Sequence, residues 1–317
     1  MSMLTNHLVD KHGRRMRKLR ISLLDACNLR CLYCMPEHPV FMPQKDWASA
    51  ADLTRVTRNL VALGIEEVRL TGGEPLLRKD FMEIVAGLSA LPIKKLGLTT
   101  NALLLVPHLP RLRHTRLQFL NISLDSLDRD NFFRITRRDE LSTVIDAILT
   151  AKALGFSVKI NTVIMKGLND HELPDFVEWS AAHDIPVRFL EVMNIGVMKA
   201  RFQDHFLPVS DMMAMLGAEY RFDALDSPSD STSRNFLVSN NAKIGFIASE
   251  SSPFCTGCSR LRLTPKGQIR PCLFMDEGID LKPLTPEEYL DVLPIIIAMK
   301  PIKRIFHQPQ PMYQIGG

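Results

Sequence analysis

The sequence predicts an α/β protein built on a parallel sheet, either an incomplete barrel or a doubly wound sheet. The chain has 317 residues, of which 46% are hydrophobic and 23% charged, the balance of a globular protein with a sizeable core. Strand-like runs alternate with helix-like stretches six times in the first two-thirds of the chain. This rhythm stops after about residue 200. A second region of different organisation is therefore expected there.

Six strands are expected where apolar residues alternate or are β-branched. They cover Leu19–Leu24, Glu67–Thr71, Lys95–Thr99, Leu117–Leu124, Val158–Met165 and Val187–Val192. The clearest helix between strands begins with Leu141 and Val144 at helical spacing and ends near Gly155. Further along, the polar, turn-rich stretch 226–233 is typical of an exposed loop.

Charge and targeting features exclude some classes of partner. Lys and Arg number 39 against 35 Asp and Glu, and this net charge of +4 does not favour a general nucleic-acid binder, although a local phosphate pocket is compatible with it. The dense apolar run 292–299 is too short to span a membrane and contains Pro294, so we expect a buried element. The first twenty residues lack an apolar signal segment. We expect a cytoplasmic protein that binds neither nucleic acid nor membrane, with few structural disulfides.

All six cysteines fall into two groups of three. The first triad is Cys27, Cys31 and Cys34, spaced C-x3-C-x2-C; the second triad is Cys255, Cys258 and Cys272, spaced C-x2-C-x13-C, about 220 residues later. Groups of three do not favour disulfides, and structural zinc usually takes four protein ligands. Three thiolates suit an iron–sulfur cluster that keeps one iron open for a small molecule. Zinc is the alternative for both triads, and unrelated buried thiols are a further one for the first.

Polar residues and glycines follow the predicted strands. In a parallel barrel, the active site lies at these carboxyl ends of the strands. The first triad follows the first strand, and further polar segments follow the next three: Thr71–Pro75, Thr99–Asn101 and Ser123–Asp125. The glycine pair at 72–73 would let the backbone approach a ligand closely, and Glu74 offers a hydrogen-bond acceptor. Gly-Gly-Glu alone is as typical of a plain turn, but its position in step with the first triad favours a site.

At these residues the sequence resembles the radical S-adenosylmethionine (SAM) superfamily, whose signature is C-x3-C-x2-C followed by a Gly-Gly-Glu loop. Within it, the sequence is similar to the GTP 3′,8-cyclase family of molybdenum cofactor biosynthesis. The similarity runs over nearly the whole chain and includes Cys27–Pro36, Arg69–Arg78, Phe254–Leu263, Arg270–Phe274 and Ile315–Gly317. The second triad, its neighbouring Arg-x-Arg and the terminal Gly-Gly make the resemblance specific.

The resemblance implies a fold and a division of the chain. We expect an incomplete (β/α)6 TIM-like barrel of the radical SAM type over residues 1–220. A C-terminal α+β extension, residues 221–317, is expected to carry a second cluster. Ala102 stands where the family commonly has Gly, which would restrict the backbone there. Segment 220–240 matches the family poorly, so its structure stays open.

The resemblance also implies the cofactors and the site residues. A 4Fe–4S cluster on the first triad would chelate SAM, which would be surrounded by Tyr33, Gly73, Glu74, Ser123 and Met193. A second 4Fe–4S cluster on the second triad would bind the guanine of GTP, and the GTP contacts would be Arg20, Arg69, Thr100, Lys159, Arg260 and Arg262. Catalytic roles are expected for Arg260 and Arg262, and for Gly316 and Gly317 in a tail that reaches the active site.

The implied reaction is a SAM-dependent radical cyclisation, a lyase step. It converts GTP to (8S)-3′,8-cyclo-7,8-dihydroguanosine 5′-triphosphate and begins molybdenum cofactor biosynthesis. The implied partners are an electron donor such as flavodoxin or ferredoxin and the downstream cyclic pyranopterin monophosphate synthase, and a monomer or homodimer is expected. Two alternatives are a radical SAM enzyme with a cysteine-rich tail that acts on a peptide or another small molecule, and a zinc-dependent binding module.

Overall fold

The structure, a computed structural model, describes residues 8–305 and 310–316. Its strands are β1 (Lys18–Ser22), β2 (Glu67–Thr71), β3 (Lys95–Thr100), β4 (Leu117–Ser123), β5 (Ser157–Ile164), β6 (Val187–Glu191), β7 (Phe222–Leu225), β8 (Arg234–Val238), β9 (Lys243–Ile247), β10 (Arg260–Leu263), β11 (Gln268–Arg270) and β12 (Ile279–Asp280). Its helices are α1 (Ala50–Ala62), α2 (Phe81–Ser89), α3 (Leu109–Leu112), α4 (Arg129–Thr136), α5 (Leu141–Ala153), α6 (Leu173–His183), α7 (Phe202–His205), α8 (Val209–Gly217), α9 (Glu288–Ala298) and α10 (Met312–Ile315). All strands belong to one sheet, in the order β12-β11-β10-β1-β2-β3-β4-β5-β6-β9-β8-β7.

The first six strands form the incomplete parallel barrel that the sequence predicts. They lie side by side in chain order and each neighbouring pair is parallel. This order excludes the doubly wound alternative, in which the strand order reverses at a switch point. Every predicted strand is present, with its ends shifted by at most two residues. The helix predicted from Leu141 is α5, and Gly155 beyond it has a φ of +87°, as a helix stop requires.

Alternate residues of the parallel strands face two different environments. On β1, Leu19 and Ile21 are buried in the main hydrophobic core together with Leu53 and Leu60 of α1. Between them Arg20 lines an interior cavity. The period of two therefore produces an apolar outer face under the helices and a polar inner face.

The region after β6 continues the sheet at both of its edges. β9 pairs in parallel with β6, and β10 pairs in parallel with β1 from Lys18–Arg260 to Ile21–Leu263. Beyond them the added strands are antiparallel. Segment 220–240, which the sequence leaves open, supplies β7 and β8. The division into 1–220 and 221–317 stays a prediction.

The polar segment 226–233 is only partly the exposed loop that the sequence predicts. Residues 226–229 are exposed, but Asp230 is only 7% exposed. Its carboxylate accepts hydrogen bonds from Arg17 Nε at 2.9 Å and Nη2 at 2.7 Å, and from the Ser259 hydroxyl, while Lys18 Nζ lies 2.9 Å away. Burial would raise the pKa of Asp230, but these partners hold it well below its ordinary value. Composition does not reveal this, because Arg17 lies 213 positions earlier.

The apolar run 292–299 is only partly the buried element that the sequence predicts. It forms most of α9, which includes Pro294 and buries Leu293, Ile296 and Ile297, while Ile295 on the opposite face is 58% exposed. Within residues 8–305 and 310–316, none of the helices combines the length and apolar character needed to cross a bilayer.

We predict that Asp230→Asn lowers the free energy of unfolding by about 2 kcal/mol, because Arg17 and Lys18 lose their counter-charge. Breaking a fully buried pair costs roughly 3–5 kcal/mol; the smaller value reflects the 31% exposure of the Arg17 side chain. Because the native pKa of Asp230 is depressed, its contribution is present above the unfolded value near 3.8 and is lost as the pH falls toward the native value.

Chemical denaturation at neutral and acidic pH measures this effect. Asp226→Asn, an exposed change in the same segment, is the matched control. Equal stability of the two variants at neutral pH would contradict the prediction.

Candidate active site

The first triad lies in the loop that follows β1, at the carboxyl end of the barrel. Cys34 N donates to the carbonyl of Cys31 at 3.0 Å, which closes a tight turn. The loop is fastened to the end of α4, where Leu32 N donates to the carbonyl of Ile135 at 3.0 Å. All three thiols are free and half-buried. The sequence therefore places three sulfurs on one ordered loop.

The glycine pair at 72–73 lies where this loop crosses the end of β2. A Cβ on Gly73 would stand 2.2 Å from the carbonyl oxygen of Ala26, and a Cβ on Gly72, whose φ is +153°, would stand 2.5 Å from that of Leu24. Instead, Gly73 N donates to Leu24 O at 2.7 Å. Only glycine permits this approach, which brings Glu74 against the first triad's loop.

Glu74 is a fully buried carboxylate in the wall of the interior cavity. It accepts hydrogen bonds from the Thr100 hydroxyl at 2.7 Å, from Asn101 N at 2.8 Å and from Leu76 N at 3.1 Å. Burial raises its pKa to about 7 even though these three donors favour the ionised form. A cation placed beside Glu74 would therefore stabilise its charge.

A second buried acid, Asp125, adds to the negative surroundings of the first triad. It accepts hydrogen bonds from the Tyr33 hydroxyl at 2.8 Å and from Val163 N at 2.9 Å, and burial raises its pKa to about 6. Burial, and then the charge of Glu74, raise the pKa of Cys27 to about 11. Such a thiol stays protonated until a metal displaces the proton.

The second triad flanks two strands of the extension. Cys255 and Cys258 precede β10, with Cys258 N donating to Cys255 O at 3.1 Å, and Cys272 follows β11. Arg260 donates to the sulfur of Cys258 at 3.4 Å. Burial alone would raise the pKa of Cys258, but the charges of Arg260 and Lys300 lower it to about 6. Cations are therefore the charged neighbours that dominate at Cys258, whereas Glu74 has that place at Cys27.

Both triads line a single cavity of about 340 Å³. The pairing of β1 with β10, in which Arg20 is in register with Arg262, brings their loops together. The cavity wall also includes Asn161 of β5, whose buried Oδ1 has no hydrogen-bond partner within the described part of the chain. An unpaired buried acceptor of this kind is typical of a site that a ligand completes.

The donor sets fit iron–sulfur clusters. Each triad offers three cysteine sulfurs, and Cys27 Sγ has donors in Leu29 N at 3.4 Å and Asn101 Nδ2 at 3.6 Å. Hydrogen bonds to sulfur are a usual part of cluster surroundings. Across the described ranges, no three His, Cys, Asp or Glu side chains converge as a site for one metal ion.

Basic side chains accumulate on the inner face of the barrel. Those in the cavity wall include Arg20, Arg188, Arg260 and Arg262. Arg69 and Lys159 lie on the same inner face but are not part of that wall. Burial, and then neighbouring cations, lower the pKa of Arg69 to about 10 and that of Lys159 to about 8. The inner face therefore carries excess positive charge, which suits a polyanion.

The C-terminal tail forms one wall of a narrow cleft, and residues of β1, β10 and β11 form its other walls. Arg262 Nη1 donates to the carbonyl of Gly316 at 2.6 Å. Gly316 has a φ of +70°, and a Cβ there would stand 2.6 Å from Cβ of Ser22. This position therefore requires glycine. Gly317, predicted together with it, lies outside the described residues.

Most predicted site residues surround the cavity. Its wall contains Arg20, Cys27, Cys31, Tyr33, Cys34, Gly73, Glu74, Thr100, Ser123, Met193, Cys255, Cys258, Arg260, Arg262 and Cys272. The hydroxyl of Thr100, predicted for GTP, is directed to Glu74 beside the first triad. The roles of all these residues stay predictions.

Sequence reasoning missed several other wall residues, among them Asn161, Arg188, Lys300 and Arg304. A signal existed for Arg188, because alternation along β6 puts it on the inner face, in register with Asn161. No local pattern marks Lys300 or Arg304, which reach the cavity from the segment after α9.

Comparisons with known proteins identify this architecture. The family model of the radical SAM superfamily matches residues 21–180, and that of Molybdenum Cofactor Synthesis C matches residues 185–302. A GTP 3′,8-cyclase from Synechocystis sp. is 43% identical over 310 residues, which cover 98% of this chain and 95% of the relative. The chain belongs to the GTP 3′,8-cyclase family of the radical SAM superfamily.

Other relatives and solved structures agree with this membership. A GTP 3′,8-cyclase from Listeria welshimeri is 41% identical over 88% of this chain and 86% of its own length. Streptococcus suis SuiB bound to S-adenosylmethionine shares the fold with a TM-score of 0.65 at 18% identity, over 91% of this chain and 69% of SuiB. The radical SAM fold predicted from the sequence is therefore confirmed.

We predict that Gly316→Ala displaces the tail, because its Cβ would overlap Ser22. Hydrogen–deuterium exchange should show faster exchange at residues 312–316 and unchanged exchange in β1 to β6. Gly217→Ala, where a Cβ meets no atom within 4 Å, is the matched control. Unchanged exchange at 312–316 in the Gly316 variant would show that the tail does not need this docking contact.

Proposed function

We propose that the protein converts GTP to (8S)-3′,8-cyclo-7,8-dihydroguanosine 5′-triphosphate, the lyase step that begins molybdenum cofactor biosynthesis. One observation carries this proposal: two cysteine triads and an excess of buried cations face one cavity. The family's relatives are GTP 3′,8-cyclases, so membership supports a cyclase of this pathway. The specific product is our inference from the arrangement of the site.

The first triad is the site we assign to a 4Fe–4S cluster and SAM. When bound and reduced, this pair would supply a 5′-deoxyadenosyl radical. Glu74 is buried and already accepts hydrogen bonds from three neighbouring donors. It would also accept hydrogen bonds from the SAM amino group, and its carboxylate would become fully ionised beside that cation. Gly73 offers backbone without a Cβ, and Tyr33, Ser123 and Met193 complete this end of the cavity.

The second triad is the site we assign to a second 4Fe–4S cluster that would hold guanine at an open iron. Cys255, Cys258 and Cys272 would be its ligands. Arg260 already donates to the sulfur of Cys258, and Arg262 fixes the carbonyl of Gly316. These two arginines therefore connect the substrate end of the cavity with the tail.

The inner-face cations would bind the triphosphate. A triphosphate carries about four negative charges, and the planar donor forks of arginine match phosphate oxygens. Arg20 and Arg188 line the cavity, and Arg69 and Lys159 lie on the same inner face. Burial lowers the pKa of each of these cations, and neighbouring cations lower those of Arg20, Arg69 and Lys159 further. A bound anion would favour their charged forms.

The reaction removes the 3′ hydrogen of GTP, joins C3′ to C8 of guanine, and takes up one electron and one proton. Its carbon radical must be kept from water and from side reactions. The barrel wall and the extension line the cavity, and Gly316 lines the cleft beside β1 and β10. Holding GTP between the two triads would orient C3′ for attack by the radical.

The partners we propose follow from this chemistry. An electron donor such as flavodoxin or ferredoxin would reduce the first cluster. The product would pass to cyclic pyranopterin monophosphate synthase. We propose a cytoplasmic enzyme, monomeric or homodimeric, that acts on GTP without nucleic acid or membrane.

We predict different losses from the two triads. Cys31→Ala removes one of three ligands and should abolish 5′-deoxyadenosine formation from SAM. Cys258→Ala should spare the first cluster and some uncoupled SAM cleavage while stopping the cyclised nucleotide. Anaerobic assays with dithionite, together with iron analysis, measure both products. A normal rate of cyclised nucleotide from Cys258→Ala would exclude the second triad as the substrate site.

We predict that Arg188→Ala weakens GTP binding at least about tenfold, or 1.4 kcal/mol, because a charge-assisted contact is lost. Calorimetric titration of the cluster-loaded enzyme with GTP, without SAM or reductant, measures the affinity. Arg201→Ala removes an exposed arginine and is the matched control. An unchanged affinity in the Arg188 variant would show that the triphosphate lies elsewhere.

A further inference from the structure

Lys300 is a buried lysine between the two halves of the second triad. It lies just after α9 and is only 4% exposed. Its Nζ donates to the carbonyl of Arg260 at 2.6 Å and to that of Pro271 at 2.7 Å. Arg260 follows Cys258 by two residues, and Pro271 directly precedes Cys272. One ammonium group therefore ties the two cysteine-bearing segments together.

The charge of Lys300 also acts directly on the triad. Its ammonium lies within interaction range of the sulfurs of Cys258 and Cys272, and its side chain forms part of the cavity wall. Among the described residues its hydrogen-bond partners are two backbone carbonyls and the sulfur of Cys258, and none of them is a carboxylate. Its charge is therefore left to act on the sulfurs.

A second buried cation holds the backbone of Lys300 from behind. Arg14 donates to the carbonyl of Lys300 at 2.9 Å, to that of Pro301 at 2.8 Å and to that of Cys255 at 2.6 Å. Its guanidinium is in turn paired with the buried Asp10 at 2.6 Å. Arg14 therefore links the backbone of Lys300 to Cys255, and Lys300 Nζ links it to the segments beside Cys258 and Cys272. Together these contacts fix the position of Lys300 relative to all three cysteines.

We propose that Lys300 is the positioning residue of the second triad, and that its fixed positive charge sets the reduction potential of the iron–sulfur cluster bound there. Thiolate ligands give a cluster negative charge, and reduction adds one more. A cation buried beside the sulfurs favours the reduced form, since attraction between charges is strong where water is excluded. The inference rests on the proposed function only in requiring a cluster on this triad.

The effect should be confined to the second cluster. The sulfurs of the first triad have Glu74 and Asp125 as acidic neighbours, which disfavour added negative charge, and Arg30 near Cys27 opposes them. The hydrogen bonds of Lys300 go instead to Arg260 and Pro271, in the segments that carry the second triad. The first cluster therefore serves as an internal reference.

The test is a redox titration of the anaerobically reconstituted enzyme, monitored by electron paramagnetic resonance, without SAM or GTP. Lys300→Met removes the charge at similar length, Lys300→Arg keeps it, and Lys303→Met is the matched control at an exposed lysine three residues away. Signals are assigned to each cluster with the Cys31→Ala and Cys258→Ala enzymes.

In Lys300→Met we expect the reduced-to-oxidised ratio of the second cluster to fall at least about tenfold at a given potential. For a one-electron couple this is a shift of about 59 mV to lower potential. Lys300→Arg and Lys303→Met should titrate near the wild type, and the first cluster should be unchanged in every variant. Loss of the second cluster from Lys300→Met, with retention in Lys300→Arg, would also support the proposal.

Two outcomes would overturn it. One is an unchanged second-cluster potential in Lys300→Met at full iron content, about eight irons per chain for two cubane clusters. The other is an equal shift, or equal cluster loss, in Lys300→Arg and Lys300→Met, which would show that charge is not what matters. A wild-type enzyme that holds only the first cluster would instead refute the proposed function of the second triad, so the two failures are distinguishable.

Discussion

The parallel pairing of β1 with β10 is the constraint on which the rest of the structure depends. It sets side by side two strands more than two hundred residues apart, with Arg20 in register with Arg262. The loop after β1 and the loops around β10 therefore open into one cavity, with a cysteine triad at each end. The same pairing forms the cleft that receives Gly316. Without this register the triads would belong to separate sites.

The inner face of the barrel carries buried positive charges that suit an anionic ligand but lower the stability of the folded chain. Burial and mutual repulsion depress the pKa values of Arg20, Arg69 and Lys159, so the folded chain alone gains little from these charges. Gly97 leaves room for the guanidinium of Arg69, to which a Cβ would come within 3.1 Å. Ala102, buried at a φ of +65°, adds backbone strain of roughly 1–2 kcal/mol. The apolar outer face compensates for these costs.

Local sequence patterns correctly predicted the features that neighbouring residues determine. The six strands, α5 with Gly155 beyond it, and both triads are encoded at short range, so periodicity and spacing revealed them. The contacts of Asp230 with Arg17, and of Lys300 with Pro271, join distant segments and carry no local signature. The restriction expected at Ala102 is visible in the structure as a φ of +65°. The sequence pattern therefore predicted the strands and the cysteine ligands, whereas the charges around the site depend on contacts between distant segments.

The central claim is that one cavity brings a radical made at the first triad to GTP held at the second. The most direct test is an anaerobic turnover with GTP deuterated at the 3′ position, followed by mass spectrometry of the 5′-deoxyadenosine released. The account predicts a gain of about one mass unit in 5′-deoxyadenosine, with formation of the cyclised nucleotide and no such gain from unlabelled GTP. Unlabelled 5′-deoxyadenosine from deuterated GTP, at a normal yield of cyclised nucleotide, would contradict it.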